Sequence, residues 1–379
     1  MIYLDNSATT PTLPSAADRV RKYMTEEFFN PSAAYSPAVR EERAVNAARK
    51  TIAGAINASG EELIFTSGGT ESNNMAIFGS LKAMRGSGRI IMGATEHPSV
   101  YEPFRGLDGR YEVAEAPVDR TGAINLDELE KLVTSDTRLV SVMQVNNEVG
   151  AINDAEAIRR IIRKKAPDAL LHMDGVQGFL KVPFDARHCD LYSISGHKFH
   201  GPKGVGALYV RNGMKFGGGQ IGGGQEKNLR SGTTNTPGIM GMEAAVKDYL
   251  DNLSEYRARM RSCKLCLAEL LTKLPDVLIN GPEAQAGAPH ILNASFLGVR
   301  GEVLLHALEE KEIYVSTGSA CSSHKKGKNR ILSGMGIIGE RQEGAIRFSL
   351  SPFNTEEEME RTAETIASVI AMLRRFKRR

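Results

Sequence analysis

Between residues 62 and 210 short apolar runs alternate with segments of helical periodicity, and this alternation limits the possible folds more than any other feature. ELIFTS (62–67), RIIM (89–92), LVSVMQV (139–145), LLHMD (170–174), LYSIS (191–195) and GALYV (206–210) read as strands. AIRRIIRKKA (157–166) reads as an amphipathic helix between two of them. Strands that alternate with helices build a largely parallel sheet with helices on its faces, so the pattern predicts an α/β fold. The glycine-rich GGGQIGGGQ (217–225) has a linker's composition but is short and lies between ordered-looking segments. After Pro237 the pattern changes. Helices are expected at about 239–249, 256–273, 302–311 and 355–376, and strands at VLIN (277–280), ILNASF (291–296) and AIRFSL (345–350). That α+β pattern predicts a second, smaller domain, in keeping with a length of 379 residues. No internal repeat is evident.

Composition narrows the function. Hydrophobic residues make up 41% and charged residues 25%, with a formal net charge of +3. Such a chain reads as soluble and globular, with no strong general attraction for nucleic acid or membrane, so neither is expected as a direct partner. No segment has the length and apolarity of a membrane span. The start, MIYLDNSATTPT, lacks a basic stretch followed by an apolar run, so it does not read as a signal peptide. Four cysteines (Cys189, Cys263, Cys266 and Cys321) are too few for a disulfide framework, and a reducing cytoplasm is expected. Cys263 and Cys266 form a CxxC inside a helical stretch with no second pair, so no metal site is expected; they and Cys189 read as structural. The basic runs HKKGKNR (324–330) and RRFKRR (374–379) read as solvated surface, with partner contact as the alternative.

Several motifs carry chemistry. In SGHKFHGPKG (195–204), Lys198 closely follows a strand. It is either a surface charge or a lysine held at a strand end for Schiff-base chemistry. Asp174 ends a strand upstream, where a carboxylate can pair with a pyridinium nitrogen or cap a helix. Gln177 lies three residues on, within reach of a ring hydroxyl. SGGTES (67–72) joins a strand to a helix, and its glycines let main-chain N–H groups approach an anion, with Thr70 adding a hydroxyl. The alternative is an ordinary helix capped by Thr70 or Ser72. His97, in TEHPSV, can stack on a planar ring and move protons, or be structural. Arg347, in an apolar strand, needs a carboxylate partner, from a substrate or from the protein. Cys321, in TGSACSS (317–323), sits among small residues with a basic run after it, which favours an accessible thiolate. The polar stretch SSHKKGKNR (322–330) offers no apolar periodicity, so a mobile arm is expected there.

Taken together, these residues resemble the NifS/IscS-like cysteine desulfurases, class-V aminotransferase relatives with the aspartate-aminotransferase-like fold type I. YLDNSATTP, FTSGGTESNN, TEHPSV, VNNEVG, HMDGVQ, SISGHKFHGPKGVGALYV, GGGQEKNLRSGTTN, STGSACSS and IRFSLS follow the family's order along nearly the whole chain. The resemblance implies pyridoxal 5'-phosphate as cofactor, carried on Lys198. It implies that His97 stacks on the ring, Asp174 pairs with its nitrogen, Gln177 reaches its hydroxyl, and Asn147 lies near cofactor and substrate. Gly69, Thr70, Ser195 and His197 would hold the phosphate, with Thr233 reaching it from the other subunit of a homodimer. Arg347 would bind the carboxylate of L-cysteine, and Cys321 would carry the persulfide. His97 or Lys198 would move protons. A sulfur-acceptor protein, a scaffold or a tRNA-thiolation protein, is the implied partner. A large domain is expected over residues 15–255, with residues 1–14 and 256–379 in a small domain that carries the cysteine loop. The rivals are a selenocysteine lyase or another pyridoxal-phosphate enzyme of the same fold, and a cofactor-free partner-binding protein. Tyr35 and Ile221 depart from the family pattern, where histidine is common, and put the substrate rim in question.

Overall fold

A computed structural model describes residues 1–107, 109–317 and 329–377. Cys321, most of the basic run after it and the expectation of a mobile arm fall outside these residues.

The chain opens with β1 (Ile2–Tyr3), followed by α1 (Pro14–Thr25) and α2 (Ser36–Gly54). A repeated strand–helix region follows. It contains β2 (Leu63–Thr66), α3 (Gly69–Lys82), β3 (Arg89–Gly93), α4 (Pro98–Arg105), β4 (Glu112–Ala116) and α5 (Leu126–Leu132). It continues with β5 (Thr137–Met143), α6 (Ala155–Lys165), β6 (Leu170–Asp174), β7 (Leu191–Ser195) and β8 (Gly206–Val210). These strands form one seven-stranded sheet in the order β2-β8-β7-β6-β5-β3-β4. It is mostly parallel; β8 runs antiparallel to both of its neighbours. Every residue of β6, β7 and β8 is buried, because helices cover both faces of the sheet.

The six expected strands of this region are all present. The strand β4 is one the sequence did not announce: Glu112 and Glu115 are exposed, and its pairing is to β3 at the end of the sheet. Edge strands carry such charges to discourage further pairing, and that blurs the apolar signal. The glycine-rich stretch is tied down: Gly217 N–H donates to Gly79 O at 2.8 Å and Gly219 N–H to Leu229 O at 2.9 Å.

The rest of the chain begins with α7 (Thr236–Asp251) and α8 (Leu253–Thr272). Then come β9 (Val277–Asn280), β10 (Ile291–Phe296), α9 (Gly301–Glu309) and β11 (Ile313–Tyr314). The short helices α10 (Arg330–Gly334) and α11 (Glu340–Glu343), the strand β12 (Ala345–Ser349) and the helix α12 (Glu356–Lys377) complete it. The sheet β12-β10-β9 is antiparallel. β1 pairs in parallel with β11, and Asp5 bridges to Ser349, so the first residues lie against the last third of the chain. That region packs its own apolar core around Leu4, Leu292, Phe296, Leu304, Phe348 and Ile366.

The middle of the large sheet leaves no spare room. Tyr192 on β7 is fully buried, stacks on Phe184 at 4.2 Å between centroids, and donates its hydroxyl to Gln144 Oε1 at 2.5 Å. A Cβ added at Gly175 would lie 1.9 Å from Tyr192 Cζ. Gly175→Ala is therefore expected to destabilise the fold by about 1–3 kcal/mol or more, the range for overpacked cores. Urea denaturation measures this, and an unchanged midpoint would mean that the ring moves aside freely.

Candidate active site

Open parallel sheets bind ligands beyond the carboxyl ends of their strands, where the strand order reverses. Here the order reverses between β3 and β5. A cavity of about 380 Å³ lies at that point, lined from the ends of β5, β6 and β7, the loop after β3, the start of α3, residues 5–8 and Arg347 of β12. Gly69, Thr70, His97, Asn147, Asp174, Gln177, Ser195, His197, Lys198 and Arg347 all line it. Ten residues read from separate motifs thus share one site. Thr233 lies elsewhere in the same chain, on a smaller cavity of about 150 Å³ with Ser67 and Gly204. Ser316 and Asn329 line the main cavity from the two sides of the undescribed segment that contains Cys321. Tyr35 and Ile221 are exposed and do not line this cavity.

Asp174 ends β6 and is buried. Its Oδ2 accepts from Asn73 Nδ2 at 2.8 Å and its Oδ1 from Val176 N–H at 3.0 Å. Both donors satisfy oxygens of a buried carboxyl group. Lys198 closes the single turn after β7, and its Nζ donates to Ser7 O at 2.6 Å and Ala8 O at 2.8 Å. Gln177 Nε2 donates to the same Ser7 carbonyl at 2.9 Å. His97 caps α4, with Nδ1 accepting from Ser99 N–H at 3.1 Å. Burial pushes the His97 imidazole below its ordinary pKa; Asp174 opposes the shift and Lys198 adds to it.

The helix reading of the glycine turn needs correction. The N-cap of α3 is Gly68, at φ +146°, and no side chain caps the helix. Ser72 instead shares a hydrogen bond with Thr66 Oγ1 at 2.8 Å. Only a glycine is at ease at that φ. A Cβ on Gly69 would lie 2.7 Å from Val176 Cγ2. The first turn of a 14-residue helix is therefore open to an anion, with Thr70, Ser195 and His197 beside it. His197 gives a neutral contact: burial, then Lys198, Lys203 and Lys181, bring its pKa to about 4.

Arg347 has a protein carboxylate as partner and still faces the cavity. Its Nη2 pairs with Asp5 Oδ1 at 2.7 Å and its Nη1 donates to Asn147 O at 3.0 Å, yet it also lines the cavity. Among the described residues its Nε is buried without a partner, as are Gln177 Oε1 and Asn147 Oδ1. Buried polar atoms call for partners. Orphaned donors and acceptors around a cavity, an open helix start, a carboxylate at a strand end and a nearby lysine fit a phosphorylated pyridine aldehyde such as pyridoxal phosphate.

Two residues inside the quoted motifs that were given no role also contribute. Glu96 and Glu148 line the cavity, and burial raises both carboxyl pKa values, that of Glu96 well above the ordinary range. Glu148 Oε2 accepts from Asn329 Nδ2 at 2.7 Å. Nothing in the spacing of these residues marks them, since only the sheet order brings them to the cavity. Cys189 and Cys263 are buried and their thiol pKa values are raised, Cys263 to about 11, in keeping with structural roles. Among the described residues no cluster of His, Cys, Asp or Glu is placed to hold a metal, and no helix is long and apolar enough to cross a membrane.

A doubly covered sheet of this order with this cavity is that of a fold type I pyridoxal-phosphate protein. The family model for Aminotransferase class-V matches residues 2–362, and the chain belongs to that family. It is 39% identical over 377 residues to a protein named cysteine desulfurase IscS from Methanosarcina thermophila, covering 98% of this chain and 93% of that one. Against the protein of the same name from Escherichia coli (strain HS) the identity is 40% over 382 residues, covering 98% and 93%. A solved NifS-like protein superposes with a TM-score of 0.91 at 36% identity, covering 98% of this chain and 99% of that one.

The buried imidazoles set the acid response. His172 lies between Ser141 Oγ at 2.8 Å and Ser193 Oγ at 2.9 Å, and burial lowers its pKa to about 4 against an opposing pull from Asp174. Burial likewise brings His200 to about 4. In the unfolded chain these groups take protons near pH 6.5. The unfolded state then binds more protons than the folded one, so stability rises with pH between about 4 and 6.5. Lowering the pH from 7 to 5 is expected to lower the urea midpoint steadily. A flat profile over that interval would mean that the raised carboxyls of Glu96 and Glu148, which act in the opposite sense, outweigh the contribution of the imidazoles.

Proposed function

We propose that the chain is a cysteine desulfurase that takes sulfur from L-cysteine, leaves L-alanine and holds the sulfur on Cys321 as a persulfide. The observation that carries the reading is the meeting of Lys198, Asp174, His97 and Arg347 at one cavity, with Ser316 and Asn329 lining it from either side of the Cys321 segment. Bound pyridoxal phosphate supplies an electron sink for carbanion chemistry at the substrate. Lys198 carries it covalently, and Gly69, Thr70, Ser195 and His197 hold its phosphate. Asp174 pairs with the ring nitrogen, Gln177 meets the ring hydroxyl, Asn147 lies at the substrate side and His97 covers the ring. The Lys198 amine, held by the Ser7 and Ala8 carbonyls, would serve as the base for the substrate Cα. Burial raises the Glu96 and Glu148 carboxyls and lowers the His197 imidazole, which favours a site with little water to compete.

Arg347 binds the α-carboxylate of cysteine, with Asp5 holding one arm of the guanidinium in place. The Cys321 thiolate then attacks the substrate sulfur. An S–S bond forms, the substrate C–S bond breaks, and its electron pair stays with the three-carbon fragment, which gains protons and leaves as alanine. Thr233 serves the phosphate of a second subunit in a homodimer; in its own chain it lines a different cavity from the one that gathers the other site residues, which supports this. The enzyme acts in the cytoplasm, and a scaffold for iron–sulfur assembly or a tRNA-thiolation protein accepts the sulfur.

Two measurements test the reading. Cys321→Ser is expected to keep the cofactor on Lys198, located by borohydride reduction and peptide mapping, while forming almost no alanine or sulfide from cysteine. Alanine formation at the normal rate would place the acceptor thiol elsewhere. Arg347→Lys is expected to raise the KM for cysteine at least about tenfold, because lysine lacks the bidentate fork. Unchanged kinetics would confine Arg347 to its pairing with Asp5.

A further inference from the structure

A short hydrogen-bond chain runs from Asp174 to His97 through two residues with no role so far. Asn73 is fully buried in α3 and gives both hydrogens of one amide. Its Nδ2 lies 2.8 Å from Asp174 Oδ2 and 2.8 Å from Ser99 Oγ. A hydroxyl oxygen that accepts from an amide keeps its own hydrogen to give. His97 Nδ1 is 2.8 Å from that oxygen. The Ser99 main-chain N–H, which can only donate, points to the same Nδ1 at 3.1 Å. A ring nitrogen that receives these donors carries no hydrogen, so the one proton of the neutral ring sits on Nε2.

We propose that Asn73 and Ser99 are positioning residues that lock His97 as the neutral Nε2–H form, in which it gives a hydrogen bond into the cavity and cannot act as a base there. The inference rests on the placement of His97 over the cofactor proposed above, and it decides between the two proton carriers the family resemblance left open. For Nε2 to accept a proton, the ring would first have to move its hydrogen to Nδ1. That shift forfeits the bond from the Ser99 N–H and sets two N–H groups against each other. Proton acceptance then falls to Lys198. The charged groups facing the ring do not reverse this. Asp174, on β6, favours the imidazolium; Lys198, after β7, opposes it; burial of Glu96, the preceding residue, raises its carboxyl well above the ordinary range. The direction of the chain also gives Asn73 a second task, since the same amide supports the charge on Asp174.

The test is nitrogen NMR of the full-length protein with labelled histidine, with and without bound pyridoxal phosphate. The His97 signals are assigned by their loss in His97→Gln. The expected result is the Nε2–H form in both samples, with a midpoint below that of an ordinary imidazole. Ser99→Ala removes the hydroxyl and leaves the main-chain N–H in place, so it is expected to raise the His97 midpoint by about one pH unit, the size of one hydrogen bond, while Nε2–H stays the main neutral form. Ser99→Thr, which keeps the hydroxyl, is expected to restore the wild-type spectrum. A hydrogen on Nδ1 in the wild type, or a Ser99→Ala spectrum identical to it, would overturn the proposal. The NMR result stands apart from whether the same samples turn cysteine into alanine, so the two readings succeed or fail separately.

Discussion

A negative charge in the middle of a sheet is tolerable only when donors surround it, and Asp174 ends β6 with all but 5% of its surface buried. Two donors reach it: the Asn73 amide from α3 and the Val176 N–H from its own turn. Much of the site's geometry follows from satisfying that carboxylate. Asn73 must face inward, which fixes the rotation of α3 and so the direction of its open N-terminus. The same amide reaches Ser99, which holds His97. The positions of carboxylate, anion-binding turn and imidazole are therefore one constraint.

A second constraint comes from the first eight residues. They lie under the lysine, where the carbonyls of Ser7 and Ala8 receive Lys198 and the Ser7 carbonyl also receives Gln177. Asp5 takes one arm of Arg347, 342 positions away in sequence. The pairing of β1 with β11 and the Asp5–Ser349 bridge hold this segment in place. The cavity thus needs both ends of the chain as well as the large sheet. A change at β1 or β11 would be felt at Lys198 and Arg347 without touching either.

The strands of the large sheet were legible because burial on both faces leaves continuous apolar runs, as in LLHMD, LYSIS and GALYV. β4 was not, because an edge strand with exposed Glu112 and Glu115 breaks the pattern. The motif residues were legible because their types are unusual at strand ends. Asn73, Ser99, Glu96 and Glu148 were not, since an asparagine in a helix or a glutamate in a loop has many uses, and only spatial neighbours choose among them.

By itself the sequence determined the α/β alternation, the lysine, carboxylate, imidazole and guanidinium, and the family they imply. These are local properties: periodicity, residue type and order along the chain. The tertiary structure alone decided the strand order, the reversal between β3 and β5 that opens the cavity, and the glycine rather than side-chain cap on α3. It also decided that Arg347 meets Asp5 and that His97 receives rather than gives at Nδ1. Each of these depends on atoms far apart in sequence, and hydrogen-bond direction in particular is set by whichever donors the packing brings within reach.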